Sequence, residues 1–178
     1  MATKPISAEI YTASHRILGR ISPGSGGLFS FLNIPTTSYI EIEGAHVTRL
    51  HQPGRMVARY PEMWLVKQDV VALLVSSRVE LGTVGAARGG YTSNVATAVH
   101  ILLGGYELHG TIETPGKLVF GSLMFEGSIR FLALYNAELT AILFPNIRAQ
   151  SAALLFNRDH VNGMAVIPKD ASPPPPAG

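Results

Sequence analysis

The 178-residue chain has no cysteine, which excludes disulfide staples and thiolate metal sites. Charge is scarce as well: 15% of residues are charged, against about 25% in an average soluble domain. A chain this poor in charge must bury much of its surface against itself or against a partner. Long apolar runs are also missing. The uncharged stretch from Gly89 to Tyr106 carries Thr92, Ser93, Asn94, Thr97, His100 and four glycines. That is too polar for a spanning helix of about 20 apolar residues. Basic clusters are absent too: the net charge is +2, and Arg16, Arg20, Arg49, Arg55, Arg59, Lys67 and Arg78 are scattered. A nucleic-acid partner is therefore disfavoured. The segment up to Ala8 lacks the apolar stretch of a signal peptide, so a soluble cytoplasmic protein without a membrane span is expected.

What the chain does contain is similarity to itself. His15 to Ile21 lies over Tyr106 to Ile112 at an offset of 91, with Gly19 on Gly110. Pro23-Gly24 falls on Pro115-Gly116, and Tyr39 to Thr48 on Phe131 to Thr140, at an offset of 92. Trp64 to Val71 meets Leu154 to Val161 at an offset of 90, which places Asp69 on Asp159. Each block reads as strand. Ile40, Ile42, Val47 and Leu50 alternate with polar residues around Gly44-Ala45, a glycine position that suggests a bulge. The third block is an apolar strand, a polar turn at Lys67-Gln68-Asp69 and a second strand to Val75, which predicts a hairpin. Leu28, Phe31 and Leu32 have the spacing of one helical turn, matched by Phe120 to Met124, with a strand as the alternative.

These patterns divide the chain into a first repeat over 8–80, a Gly-rich linker over 81–97 and a second repeat over 98–167. A Pro-rich tail over 168–178 has nothing to bury and is expected to be disordered. The predicted core consists of Ile17, Ile21, Ile40, Ile42, Val47, Trp64, Val66 and Val71. Its counterparts are Leu108, Ile112, Leu132, Leu134, Leu139, Leu154, Phe156 and Val161. Tyr60 and Met63 join the first set.

A bent first strand, a second strand running into Gly44-Ala45 or Asn136-Ala137, and the segments Val66 to Val71 and Phe156 to Val161 resemble the Sm-like small β-barrel. Domains of uncharacterised bacterial proteins are similar, and bring no function with them. The resemblance implies an all-β fold of two tandem small barrels, Sm-like or SH3-like, with one short helical turn in each. It also implies subunits that pair strand edges into rings. The residues with which Sm proteins hold RNA are not retained, because Gln68 and Arg158 replace the glycine of the closing motif and Tyr39 and Phe131 replace its base-pairing Asn.

Candidate chemistry is thin. The histidines are His15, His46, His51, His100, His109 and His160, and none forms an H-x-H or H-x-x-x-H pair on one element. His46 and His51 are near each other, but an isolated pair is a weak metal signal. Asp69 and Asp159 read as repeated turn residues. Gly24-Ser25-Gly26-Gly27 lacks the lysine of a phosphate loop, and Ser30 and Ser122 lack a G-x-S-x-G setting. No catalytic, cofactor-binding or metal residues are assigned, and no cofactor is expected. The expected function is a non-catalytic structural or assembly module that forms a homo-oligomer or joins a larger complex, with Leu118 to Phe125 and Phe131 to Leu134 as contact surface. The alternative is a module binding nucleic acid or a small ligand in the groove between the repeats.

Overall fold

The computed structural model describes residues 4–84 and 94–168. Residues 85–93 of the expected linker and 169–178 of the expected tail lie outside the described residues. The fold is all-β, and the described residues form ten strands joined into one antiparallel sheet. The first half contains β1 (Ile6–Tyr11), β2 (His15–Ile21), a short helix α1 (Gly27–Asn33), β3 (Tyr39–Arg49), β4 (Met56–Val66) and β5 (Ala72–Val75). The second contains β6 (Val95–Leu103), β7 (Tyr106–Thr114), α2 (Phe120–Phe125), β8 (Phe131–Ala141), β9 (Arg148–Asn157) and β10 (Val161–Val166). No helix among the described residues is long and apolar enough to cross a membrane.

Across the sheet the strands run β10-β6-β7-β8-β9-β5-β1-β2-β3-β4. The order β5-β1-β2-β3-β4 of the first half thus recurs as β10-β6-β7-β8-β9. Registers correspond as well: Ile10 pairs with Ile17 as Ile101 pairs with Leu108. Even the irregularities match. The β2–β3 ladder slips between Leu18 and Arg20, and the β7–β8 ladder between His109 and Thr111. Opposite each slip the chain takes a positive φ, at Gly44 (60°) and at Asn136 (48°), the two residue types that enter this region most readily.

Neither half closes into the expected barrel. Closure of the first half would require β4 to pair with β5, but β5 pairs with β1 on one side and β9 on the other. The expected hairpin is therefore not formed either. The intervening 3-10 turn, Lys67–Asp69, instead carries the chain across to the far side of its own half. The ladders also move the third sequence block by one residue. Glu41 pairs with Trp64 as Ala133 pairs with Leu155, so Trp64 corresponds to Leu155 and Asp69 to His160.

The sheet separates two cores, and each draws on both halves. One gathers Ile17, Ile21, Ile40, Ile42 and helix residues Leu28 and Leu32, together with Phe131, Tyr135 and Leu155 from the second half. The other gathers Leu108, Ile112, Leu134, Leu139, Leu154 and Phe156, together with Tyr11, Val71 and Leu74 from the first. Most predicted core positions lie here, but Trp64 is 59% exposed and Val66 and Tyr60 are exposed too. Met63 is partly buried against the first core, and Leu132 and Val161 against the second. The reason is the position of β4 at the end of the sheet: Leu65 fills its inner face, and no other described residues cover the outer one.

Removing Phe156, which is fully buried, should be costly. Phe156→Ala is expected to lower the unfolding free energy by about 3–5 kcal/mol in urea denaturation. Trp64→Ala should change it by less than about 1 kcal/mol.

Candidate assembly interface

The contact between the halves is built around β5 and β9. Ala72, Leu73, Leu74 and Val75 stand opposite Phe156, Leu155, Leu154 and Ala153. Their side chains alternate between the two cores, so this segment is apolar at every position rather than at every second one, as strands covered on both faces require. Polar groups fix the ends of the ladder. The Asn157 backbone N–H donates to the Val71 carbonyl at 3.0 Å, and its side-chain amide donates to the Val70 carbonyl at 3.1 Å. Beyond the ladder, Asn33 at the end of α1 clamps the start of β8. Its carbonyl accepts the N–H groups of Arg130 (2.9 Å) and Phe131 (2.8 Å), and its amide donates to the Phe131 carbonyl at 3.0 Å. The Arg78 guanidinium lies 3.7 Å from the centroid of the Tyr135 ring and pairs with Glu113.

Two buried tyrosines join the halves beside the junction. Tyr11 and Tyr106 meet edge to face at 5.6 Å, and the Tyr106 hydroxyl donates to the Thr12 carbonyl. Burial raises the pKa of both, reinforced at Tyr11 by its hydrogen bond to Glu9, so each stays a neutral donor.

The side chain that truly recurs at the closing turn is a cation. The Lys67 ammonium donates to the carbonyls of Phe31 (2.7 Å) and Ile34 (3.3 Å) at the C-terminal end of α1. Arg158 does the same at α2, to Leu123 (3.4 Å) and Glu126 (2.8 Å). Each meets the negative end of a helix whose last carbonyls lack intrahelical partners. Burial, then the nearby Arg130 charge, lowers the Lys67 pKa. The expected pairing of Asp69 with Asp159 is corrected: Asp69 ends its 3-10 turn, whereas Asp159 sits in the middle of the other and pairs with Arg130 at 3.0 Å.

The same two half-surfaces occur once more, unpaired, at the ends of the sheet. β10 corresponds to β5, and β4 to β9, and among the described residues both are open edges. Pro61 cannot donate to a ladder, which leaves Glu62 to Leu65 as the pairing segment of β4, the counterpart of Ala153 to Phe156. Helix α2 corresponds to α1 but has no half beside it. Where α1 buries Leu28 and anchors Asn33, α2 exposes Phe120 and Phe125, the latter at 78%. On the other end Tyr39, Trp64 and Val66 are exposed. That end also differs in charge. Glu41, Glu43 and Glu62 stand where the internal junction has Ala133, Tyr135 and Ala153, and Lys117 precedes α2 at the opposite end. The expected contact surface is thus split. Phe131 to Leu134 is consumed inside the chain, while Val119, Phe120 and Phe125 remain outside.

The other sequence candidates find structural roles. Gly27 starts α1 at φ 77° against Gly82, where an added Cβ would lie 2.5 Å from the Gly82 Cα, so the glycine run serves close packing. Ser30 lies on α1 and Ser122 on α2, and the Ser122 hydroxyl donates to Glu126 at 3.0 Å. The groove between the halves is real, about 630 Å³, with Ser7, Arg20, His46 and Gln150 among its walls. It is an open trough, and its charged residues are already engaged, Glu9 with Arg16 and Arg20 with Glu43. His46 lies on β3 and His51 in the turn beyond it, and among the described residues no third ligand joins them. His100, Glu107 and His109 come together across β6 and β7, on two strands rather than one element, with their donor atoms within 4.8 Å of one another.

Comparison with family models, curated proteins and solved structures finds no match.

The Asn33 clamp can be tested directly. Asn33→Ala leaves the N–H groups of Arg130 and Phe131 and the Phe131 carbonyl without this partner, and should cost about 1–3 kcal/mol. Native-state hydrogen exchange should show the Phe131 amide losing protection more than amides in the centre of β2.

Proposed function

We propose that this protein is a non-catalytic assembly module of two Sm-like repeats that adds copies head to tail. The observation that carries this reading is that the β5–β9 junction has an unused counterpart at each end of the sheet. In the proposed contact β10 of one copy lies antiparallel to β4 of the next. By analogy with the internal register, Met164 stands opposite Trp64 and Gly163 opposite Leu65. Helix α2 then covers the start of β3, with Phe125 against Tyr39 where Asn33 meets Phe131 inside the chain. Such a contact is heterologous, so it closes into a ring or continues as a filament.

Chemistry at the two ends supports the pairing. An exposed aromatic cluster on one side meets an exposed aromatic cluster on the other, and such patches mark contact surfaces. Open sheet edges call for a partner in the same way. In this contact Glu41 and Glu43 on β3 and Glu62 on β4 face the end that carries Lys117. This contact is wetter than the internal junction, and salt weakens it by screening.

Sedimentation velocity at micromolar concentration tests the proposal. The wild-type chain should form species larger than 19.0 kDa, and these should weaken as salt rises. Trp64→Glu and Phe125→Asp should each remain monomeric alone, because each blocks a different end. Mixed in equal amounts, they should form dimers and nothing larger, through the one intact pair of ends. A wild-type chain that sediments only as a monomer, or single variants that still assemble, would overturn the reading.

A further inference from the structure

The outer face of the β6–β7 hairpin carries a group of side chains that assembly does not use. The hairpin turns through Gly104-Gly105, and the resulting register sets His100 directly opposite His109. Glu107 lies two residues before His109 and so shares its face. The two imidazoles stack at 4.1 Å with an interplanar angle of 11°, and donor atoms of all three residues lie within 4.8 Å of one another. The His100 Nε2 atom is buried and has no hydrogen-bond partner; a Glu107 carboxylate oxygen, the nearest charge, is 3.8 Å away.

The first half provides an internal comparison. At the corresponding positions it carries Glu9, Arg16 and Leu18, given the matching registers of the two hairpins. There the Arg16 guanidinium bonds the Glu9 carboxylate, and the Tyr11 hydroxyl bonds it too. Every polar group at that place has a partner on the protein. In the second half the cation and the hydroxyl are gone, and two imidazoles and a carboxylate converge with a buried nitrogen left over.

We propose that His100, Glu107 and His109 bind a divalent first-row transition ion of the zinc type. Two imidazoles and one carboxylate are a common donor set for such ions, whereas magnesium and calcium prefer oxygen alone. Zn–N bonds of about 2.0–2.1 Å and Zn–O bonds of about 2.0–2.2 Å put neighbouring donors about 3.3 Å apart in a tetrahedral site. The rings now stack nearly parallel, so binding requires the side chains to rotate until their lone pairs converge on the ion from the present spacing of up to 4.8 Å. Three protein ligands leave the fourth position to water. The ion would tie β6 to β7 next to β10, which pairs with β6 through Ala165 opposite His100.

The test is a titration of the full chain with Zn²⁺ against a chromophoric chelator, together with the visible spectrum of the Co²⁺ form. One saturable Zn²⁺ per chain is expected, with tetrahedral Co²⁺ bands and selective shifts of the His100 and His109 ring resonances. His109→Ala and the partly exposed Glu107→Gln should each weaken binding by at least about tenfold, with circular dichroism melts showing both variants folded. His46→Ala should bind as wild type. Phe125→Asp should also keep its zinc, which separates this site from assembly. Absence of saturable binding, or binding as tight as wild type in Glu107→Gln or His109→Ala, would overturn the proposal and leave a stacked histidine pair beside a carboxylate.

Discussion

The antiparallel pairing of β5 with β9 is the contact on which the rest of the structure depends. A strand inside a sheet with cores on both faces must be apolar throughout, and Ala72 to Val75 and Ala153 to Phe156 meet that demand. Because successive side chains point to opposite faces, this one ladder supplies Leu73 and Leu155 to one core and Leu74 and Phe156 to the other. Neither core is complete in a single half. The same pairing occupies the edge that would otherwise close the first half on itself, which is why the sheet runs on through ten strands.

Equivalent backbones carry different chemistry at the two ends. Asn33 answers the backbone groups of β8, while its counterpart Phe125 faces outward; Ala133 and Tyr135 sit under the first core, while Glu41 and Glu43 stay in water. The internal contact is dry and built from obligatory burial, and the outer ends combine aromatic surface with charge. In the proposed assembly this is the contrast expected between a permanent interface and one that forms and dissolves. The outer faces of the first hairpins diverge in the same manner. Glu9 and Arg16 satisfy each other in one half, and His100, Glu107 and His109 stand open in the other.

Much of this was legible in the residues. Alternation at Ile40, Ile42 and Val47 marks one face of a strand, the 28/31/32 spacing marks the helical turn, and Gly19 over Gly110 marks the matching course of the two halves. Two features were hidden by short-range pattern. A one-residue slip in the third block made Asp69 and Asp159 look like a repeated pair, because both turns contain an acid; the ladders show that Lys67 and Arg158 are the functional equivalents. The histidine pair was overlooked because its members lie on different strands, although a two-residue Gly-Gly turn centred between them already implies that register.

By itself, then, the sequence determined the local elements, the repetition of their order and the inward positions of most strands, because backbone preference and side-chain alternation act over a few residues. Tertiary structure alone decided which strands became edges. Trp64 and Leu155 occupy the same place in their ladders, yet one is exposed and the other fully buried. Their burial depends on whether another strand arrives beside them, and that strand comes from a part of the chain about 80 residues away, beyond the reach of any local periodicity.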